Sequence, residues 1–329
     1  TSYLITKRKR KIFLQIKKIA IEQIIPSQSQ ERLFVEEINP DCNKPNESLF
    51  LQPVFLHHAC DGFTILYGFN YISNVYQRGG KNIQAFVIPK SQSLFSALNI
   101  VADFIRRSRP LWPIEIARIL QLFNQQQFSN AKKSAFFKKH TEKDLTRTLE
   151  ERYLALIGLN PLFHKFLIEK KAPLKTWFLT AECPPVIRDL ILNLITECQP
   201  SLSTFEEISR NLLEILRRED IAPEQLTAEI NQVIIEKAGE IQPSQKLEIF
   251  RSKIQERRFP QMTIHRERLN NFLQTIQLPS AVEIEFNPNF EERGYRLKAE
   301  IRTPNDLREL TEFLNSAAQS DLKHLLEIL

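Results

Sequence analysis

From residue 91 onward, apolar residues recur at i, i+3 and i+4, with prolines and small polar residues marking the starts of segments. That period predicts helices over Ser91–Phe104, Pro113–Phe123, Thr141–Leu156, Pro161–Lys170, Pro184–Thr196, Ser203–Arg218 and Pro223–Ala238. Thr141 with Asp144, and Ser203 with Glu206, have capping-box spacing, which places two helix starts at Thr141 and Ser203. Before residue 91 the pattern is that of strands. "LQPVFLHH" and "FTILYG" are short apolar runs separated by Asp61-Gly62, a hairpin signal. Residues 70–78 then read as a helix stopped by Gly79-Gly80, and "IQAFVIP" as a further strand. "IFLQIKKIAIEQII", residues 12–25, is Ile-rich and suits a strand followed by a short turn of helix before Pro26. Residues 26–50 carry three prolines and many Ser, Asn and Gln, and read as a long connection holding one short helix.

The carboxyl end changes period again. "ERLNNFLQTIQ" is an amphipathic helix, and "AVEIEF" and "GYRLKAEI" are alternating strands joined across "NPNFEER". Thr303 is a good N-cap, and Pro304 stands at the first helical position, where its missing N–H costs nothing; a helix is expected through Leu314. No repeat of fixed period is found. The 329 residues therefore predict an α+β chain in three parts: a small mixed-sheet α/β domain over 1–110, an all-helical domain over 111–240 with a candidate helix-turn-helix, and a small α/β module over 241–329.

Composition narrows the function classes. Seven glycines against 23 phenylalanines argue against tight hairpins and Gly-rich cofactor loops. The net charge is +6, with the excess in three clusters: Lys7–Lys11, Arg106/Arg107/Arg109, and Lys132/Lys133/Lys138/Lys139. Uneven positive charge attracts polyanions, so nucleic acid is a reasonable partner, while solvated surface is the plainer alternative for each cluster. Cys42, Cys60, Cys183 and Cys198 show no C-x-x-C spacing and no His at a ligand interval, so neither a metal site nor a disulfide framework is expected, and a reducing cytoplasm fits. Adjacent His57 and His58 at a strand end should point to opposite faces as structural residues. No compact Asp/Glu/His set suggests a nuclease metal centre, no catalytic residue stands out, and no run is long enough to cross a bilayer. The amino end carries no apolar signal core.

The stretch "LQPVFLHHACDGFTILYGFNYISNVYQRGGKNIQAFVIP" resembles, in order and spacing, the amino-terminal domain of the ParB-like family, a fold shared with sulfiredoxin. Gln52-Pro53-Val54, Asp61-Gly62 and Gly68 match its landmarks. "RPLWPIEIARIL" resembles the segment that opens its next helix. "LIGLNPLFHKFLIEKKAPLKTWFLTAECPP" resembles the part of the ParB DNA-binding domain that follows its helix-turn-helix, so the likeness spans roughly residues 12–195. Membership would imply a chromosome- or plasmid-partition protein that binds DNA, dimerises at its carboxyl end, meets a ParA-type ATPase, and uses CTP with Mg2+ to clamp DNA.

Departures from the pattern bear on that implication. The family's arginines after the glycine, and a later E-N-x-Q-R stretch, embrace the CTP triphosphate; here the first motif reads Gly68-Phe69-Asn70-Tyr71, and the second aligns with Asp103-Phe104-Ile105-Arg106-Arg107. Gly68, Asn70, Arg78, Arg106 and Arg107 are thus the residues of a degenerate nucleotide site, with Arg109 a further candidate for the same cleft. Losing two phosphate-binding arginines should weaken triphosphate binding greatly, which puts CTP-switched clamping and CTPase activity in doubt; Arg78, Arg106, Arg107 and Arg109 could partly compensate by converging on the same cleft, or instead line a groove for DNA phosphates or sit in solvent. Sulfiredoxin chemistry needs a reactive cysteine beside an arginine at the strand-to-helix turn, and residues 68–71 hold none. For DNA, "NAKKSAFFKKH" and "TEKDLTRTLEERYLALIGL" would supply the two helices. Lys138, Lys139, Lys143 and Arg147 would then face phosphates, and Thr148 or Arg147 a base edge. The rival reading is a nucleotide-independent interaction scaffold that kept this fold.

Overall fold

The structure is a computed structural model; it describes the chain apart from residues 1, 8–9, 25–31, 37–52, 59–61, 237–241, 277, 287–293 and 318–329. The chain divides into two compact units, Thr1–Glu182 and Cys183–Leu329.

The first unit opens with a five-stranded sheet. Its elements are β1 (Ser2–Lys7), β2 (Arg10–Ala20), a 3-10 turn at Ile21–Gln23, β3 (Phe55–His58), β4 (Phe63–Tyr67), α1 (Phe69–Gln77) and β5 (Asn82–Ile88). The spatial order is β1-β2-β5-β3-β4. β3 and β5 run parallel with Leu56 opposite Val87, while the other pairs are antiparallel. That topology follows from the chain: β3 and β4 make a hairpin, and α1 carries the chain back so that β5 can lie beside β3. Ile19, Val54, Leu56, Ile72, Ile83 and Val87 form the core between sheet and α1. On the opposite face Phe55 stacks on Phe86 at 5.1 Å and meets Phe104 at 4.9 Å. The sheet is therefore covered on both sides, which is why Val54, Phe55 and Leu56 are apolar in succession and all buried.

The mixed sheet has the expected strands and one more. β1 was not anticipated. It pairs antiparallel with β2, placing Lys7 opposite Arg10. His57 and His58 are structural: His57 Nε2 lies 2.9 Å from the Gln92 carbonyl, and the His58 ring stacks on Phe63 at 5.0 Å. Cys42, Gln52, Cys60 and Asp61 lie outside the described residues. So does most of the expected 26–50 connection, of which residues 32–36 are described and carry no helix.

The described residues of the first unit continue with α2 (Leu94–Ile105), α3 (Pro113–Gln125), α4 (Asn130–Thr141), α5 (Arg147–Ala155), a 3-10 turn at Leu156–Gly158, α6 (Pro161–Glu169) and α7 (Leu174–Glu182). The helix start expected at Thr141 is corrected. Thr141 is the last residue of α4, and its hydroxyl donates to the Phe137 carbonyl at 2.8 Å; the true cap is Thr146, whose side chain accepts from Leu149 N at 3.2 Å. Phe136, Phe137 and His140 are all buried, so the inward face of α4 extends to its end and outweighs a possible restart at Thr141. α7 lies in a stretch to which periodicity had assigned no element.

The second unit holds α8 (Pro185–Cys198), α9 (Leu202–Glu219), α10 (Pro223–Glu236), α11 (Pro243–Arg258), α12 (Pro260–Thr275), β6 (Val282–Phe286), β7 (Tyr295–Ala299) and α13 (Pro304–Ala317). α9 starts two residues earlier than its pattern suggested: Ser201, not Ser203, is the cap, accepting from Thr204 N at 3.2 Å. α11 was not anticipated, because its exposed face is dense in charge and only Phe250 and Ile254 are buried. The antiparallel β6–β7 ribbon packs with α12 and α13 around Ile276, Phe313, Phe272, Leu273 and Leu297. Thr303 caps α13 as expected, its hydroxyl accepting from Asp306 N at 3.3 Å. Among the described residues no group of His, Cys, Asp or Glu could hold a metal ion, and no helix is long and apolar enough to cross a membrane.

Candidate anion cradle and nucleic-acid interface

The turn from β4 into α1 is built on Gly68. Its φ of 99° is left-handed, and a Cβ there would lie 2.8 Å from Val54 Cγ2 and 3.0 Å from Val54 Cα. Both the backbone angle and the close approach to β3 require glycine. The turn leaves the amides of Gly68, Phe69 and Asn70 facing outward at the positive end of α1, the arrangement that favours an anion.

An anion is already there. The Glu36 carboxylate accepts from Gly68 N at 2.8 Å and Phe69 N at 2.7 Å through Oε1, and from Asn70 N at 2.7 Å through Oε2. Residues 32–36 lie along this end of the domain as a strap fastened at several points. Arg32 Nη1 donates to Asn70 Oδ1 at 2.8 Å, and Arg118 Nη1 donates to the Arg32 carbonyl at 2.7 Å. Phe34 is buried, with its ring edge-on to Tyr67 at 6.3 Å. Val35 N donates to Glu115 Oε1 at 2.8 Å, and Arg109 Nη2 donates to the Val35 carbonyl at 3.0 Å.

The sequence-derived nucleotide residues separate in space. Gly68 and Asn70 form the cradle. Arg78 caps the other end of α1, nine residues and about 13 Å of helix away. Arg106 Nη1 donates to the Lys139 carbonyl at 2.7 Å and pairs with Glu142 at 3.6 Å, and Arg107 is exposed in the turn after α2. Arg109 alone of that cluster reaches the strap. Glu36, Arg32 and Glu115 were missed, since no local signal connects a carboxylate in a Pro-rich connection to amides more than thirty residues later.

The second candidate surface is the pair α4 and α5, joined by residues 142–146. Glu142 makes the turn at φ 64°, a left-handed helix end that glycine most often occupies. Tyr153 anchors α5, its ring edge-on to Phe137 and to Phe178, both at 5.3 Å, and burial pushes its phenol pKa up to about 12. The outer side carries Lys138, Lys143, Arg147 and Thr148, all exposed, with Lys143 in the turn rather than on a helix. Lys138 pairs with Asp144 at 2.8 Å, which raises its pKa, and Arg147, 93% exposed, pairs with Glu151 at 3.0 Å. Such solvent-exposed pairs are weak and yield readily to a phosphate. Lys139 is committed inward to Asp103. Lys133 is buried and joins three helices through Asn124 at 2.9 Å and Glu150 at 2.8 Å. The third basic cluster thus splits into structural and surface members. α5 itself is balanced, with Arg147 and Arg152 against Glu150 and Glu151.

No protein-family model matches this chain, and no curated protein matches it in sequence. Two solved structures of the C-terminally truncated chromosome-partitioning protein ParB from Caulobacter crescentus are similar to it. The one complexed to the centromeric parS site is 16% identical, with a TM-score of 0.29, over 59% of this chain and 98% of that one. The one complexed with CTP-gamma-S is 14% identical, with a TM-score of 0.21, over 56% of this chain and 99% of that one. Both likenesses are of low identity and cover part of this chain.

Proposed function

We propose that this chain is a DNA-binding protein of the ParB-like partition type whose CTP site is weakened or lost. Three functional parts are proposed within it, 1–110, 111–240 and 241–329, the first being the sulfiredoxin-like domain. The observation that carries the reading is the α4–turn–α5 unit. Thr146 caps the second helix, the first two residues of that helix, Arg147 and Thr148, are exposed, and Lys138 and Lys143 flank them. A helix entering a major groove by its amino end presents these positions to phosphates and base edges. The filled cradle at Gly68–Asn70 supports the loss of nucleotide switching, and neither CTPase activity nor bound Mg2+ is part of the proposal. The proposed setting is the cytoplasm, with a ParA-type ATPase as a further partner.

Self-association at the carboxyl end is proposed through α13 rather than through the edge of β7. Arg296 and Lys298 are exposed on β7 and lie opposite Glu285 and Glu283 of β6, so a two-fold β7–β7 join would bring four cations together. On α13, exposed Leu307 and Leu314 and half-buried Leu310 form a stripe at i, i+3, i+7, suited to a second copy of the same helix.

The balanced charge of α5 favours the second reading, a protein-interaction scaffold. A salt series with duplex DNA decides between them. Binding that weakens steeply with salt, at a slope of about 0.9 per phosphate neutralised, supports the partition reading; absence of duplex binding at low salt overturns it.

A further inference from the structure

We propose that Glu36 is the resident anion of the α1 cradle, and that residues 32–36 are an autoinhibitory strap that shuts the cradle against external phosphate groups. This deepens the closed-cradle part of the function proposed above and does not depend on DNA binding.

Three observations carry it. First, the carboxylate takes all three outward amides of the turn at 2.7–2.8 Å, using both oxygens. Three amides on one anion at the positive end of a helix is how a phosphate oxygen would be held, so carboxylate and phosphate compete for one set of donors. Second, the competition is intramolecular. Glu36 is tethered beside the cradle by Phe34 in its buried seat and by the Arg109 and Arg118 guanidiniums on the strap carbonyls. A tethered ligand acts at an effective concentration in the millimolar range or above, which a free anion must exceed. Third, the strap brings its own cation: Arg32 donates to Asn70 Oδ1 beside the carboxylate. The strap therefore supplies an anion for the amides and a cation for the first-turn side chain, and the positions after the glycine hold Phe69, Asn70 and Tyr71 in place of cations that would draw a free phosphate.

Closure is predicted to be reversible. No covalent bond holds the strap, and a bound phosphate group would free Glu36 while leaving the Arg109–Glu115 pair in place.

The test is thermal unfolding of the full chain and of Glu36→Ala, each titrated with inorganic triphosphate, CTP and ATP. The expected result is no rise in Tm for the unmodified chain and a rise for the variant that grows with the logarithm of anion concentration. Equal rises with inorganic triphosphate and both nucleotides would assign the contact to phosphate alone; a rise with CTP alone would add a base contact, and both outcomes support the strap. An equal rise for both proteins overturns the strap and the closed cradle together. No rise for either overturns the strap as a competitor, making Glu36 a simple helix cap, and leaves the closed cradle standing. Should Glu36→Ala fail to fold, amide exchange in the unmodified chain and in Glu36→Gln reads the same contact. Slow exchange at Gly68, Phe69 and Asn70 that quickens in the variant supports the proposal, and fast exchange in the unmodified chain overturns it.

Discussion

Arg109 and Glu115 meet as a fork on a fork: Nη1 donates to Oε2 at 2.8 Å and Nη2 to Oε1 at 2.7 Å, with the Glu115 side chain fully buried and that of Arg109 15% exposed. The same carboxylate accepts from Val35 N at 2.8 Å and Trp112 N at 2.7 Å. Four donors on two oxygens leave no desolvated lone pair without a partner, which is the condition under which a buried ion pair is tolerated. One side chain thus joins the strap, the segment ahead of α3, and the start of α3 itself.

Removing one member of such a pair leaves the other charge buried alone. Glu115→Ala is expected to lower unfolding free energy by about 3–5 kcal/mol. The double variant Arg109→Ala/Glu115→Ala is expected to lose less than the sum of the single losses. Chemical denaturation of the four proteins checks this.

His164 gives the first unit a pH dependence. Burial holds its pKa below the ordinary value, outweighing the Leu156 carbonyl to which Nε2 donates at 3.0 Å; the ring stacks on Trp177 at 6.0 Å. Its Nδ1 is buried with no hydrogen-bond partner among the described residues. In the unfolded chain the imidazole takes up its proton near pH 6.5, and in the folded chain only at lower pH, so over that interval the unfolded state binds more protons. Stability from this group is complete above about pH 6.5 and falls as pH drops toward the folded value. Tm measured from pH 8 to 5 should show that fall, and His164→Phe should flatten it.

Lys133 and Arg147 stand fourteen residues apart and should behave oppositely. Lys133→Ala breaks the contacts to Asn124 and Glu150 and is expected to cost about 1–3 kcal/mol of stability. Arg147→Ala removes only an exposed pair with Glu151, and stability should stay within about 0.5 kcal/mol. On duplex DNA, Arg147→Ala should weaken binding and reduce the salt slope by about 1. Paired denaturation and salt-titration experiments separate the two roles.

If α13 joins two copies, Leu307→Glu with Leu314→Glu places charge on the seam and should convert a dimer to a monomer by light scattering, with the far-ultraviolet spectrum unchanged. A monomeric unmodified chain at micromolar concentration would remove the proposed seam.

The parts visible in the sequence are those written by neighbours. Gly68 between an apolar strand and a helix, Gly79-Gly80 after α1, and Thr303-Pro304 before α13 all act within a few residues and stand where they were expected. The cradle's occupant was not visible, because Glu36 and the amides of Gly68–Asn70 meet only after β3 and β4 have folded between them. Nor could charge alone tell Lys133 from Lys138, since burial is set by Phe136 and Phe137 packing against other helices. The start expected at Thr141 was misplaced by five residues from the cap at Thr146, because burial of Phe137 and His140 carries α4 through Thr141, and that burial is set by packing rather than by the local sequence.

The left-handed helix ends give this protein room to be hardened. Gln127, Glu142, Lys171, Gln199 and Asp220 sit at φ 45–64°, where a side chain crowds the backbone and glycine does not. Each is a place where one substitution relieves local strain of about 0.5–1 kcal/mol, net of the extra freedom glycine gives the unfolded chain. A thermostable form is therefore reachable from the helix ends alone, with every buried phenylalanine left where it is.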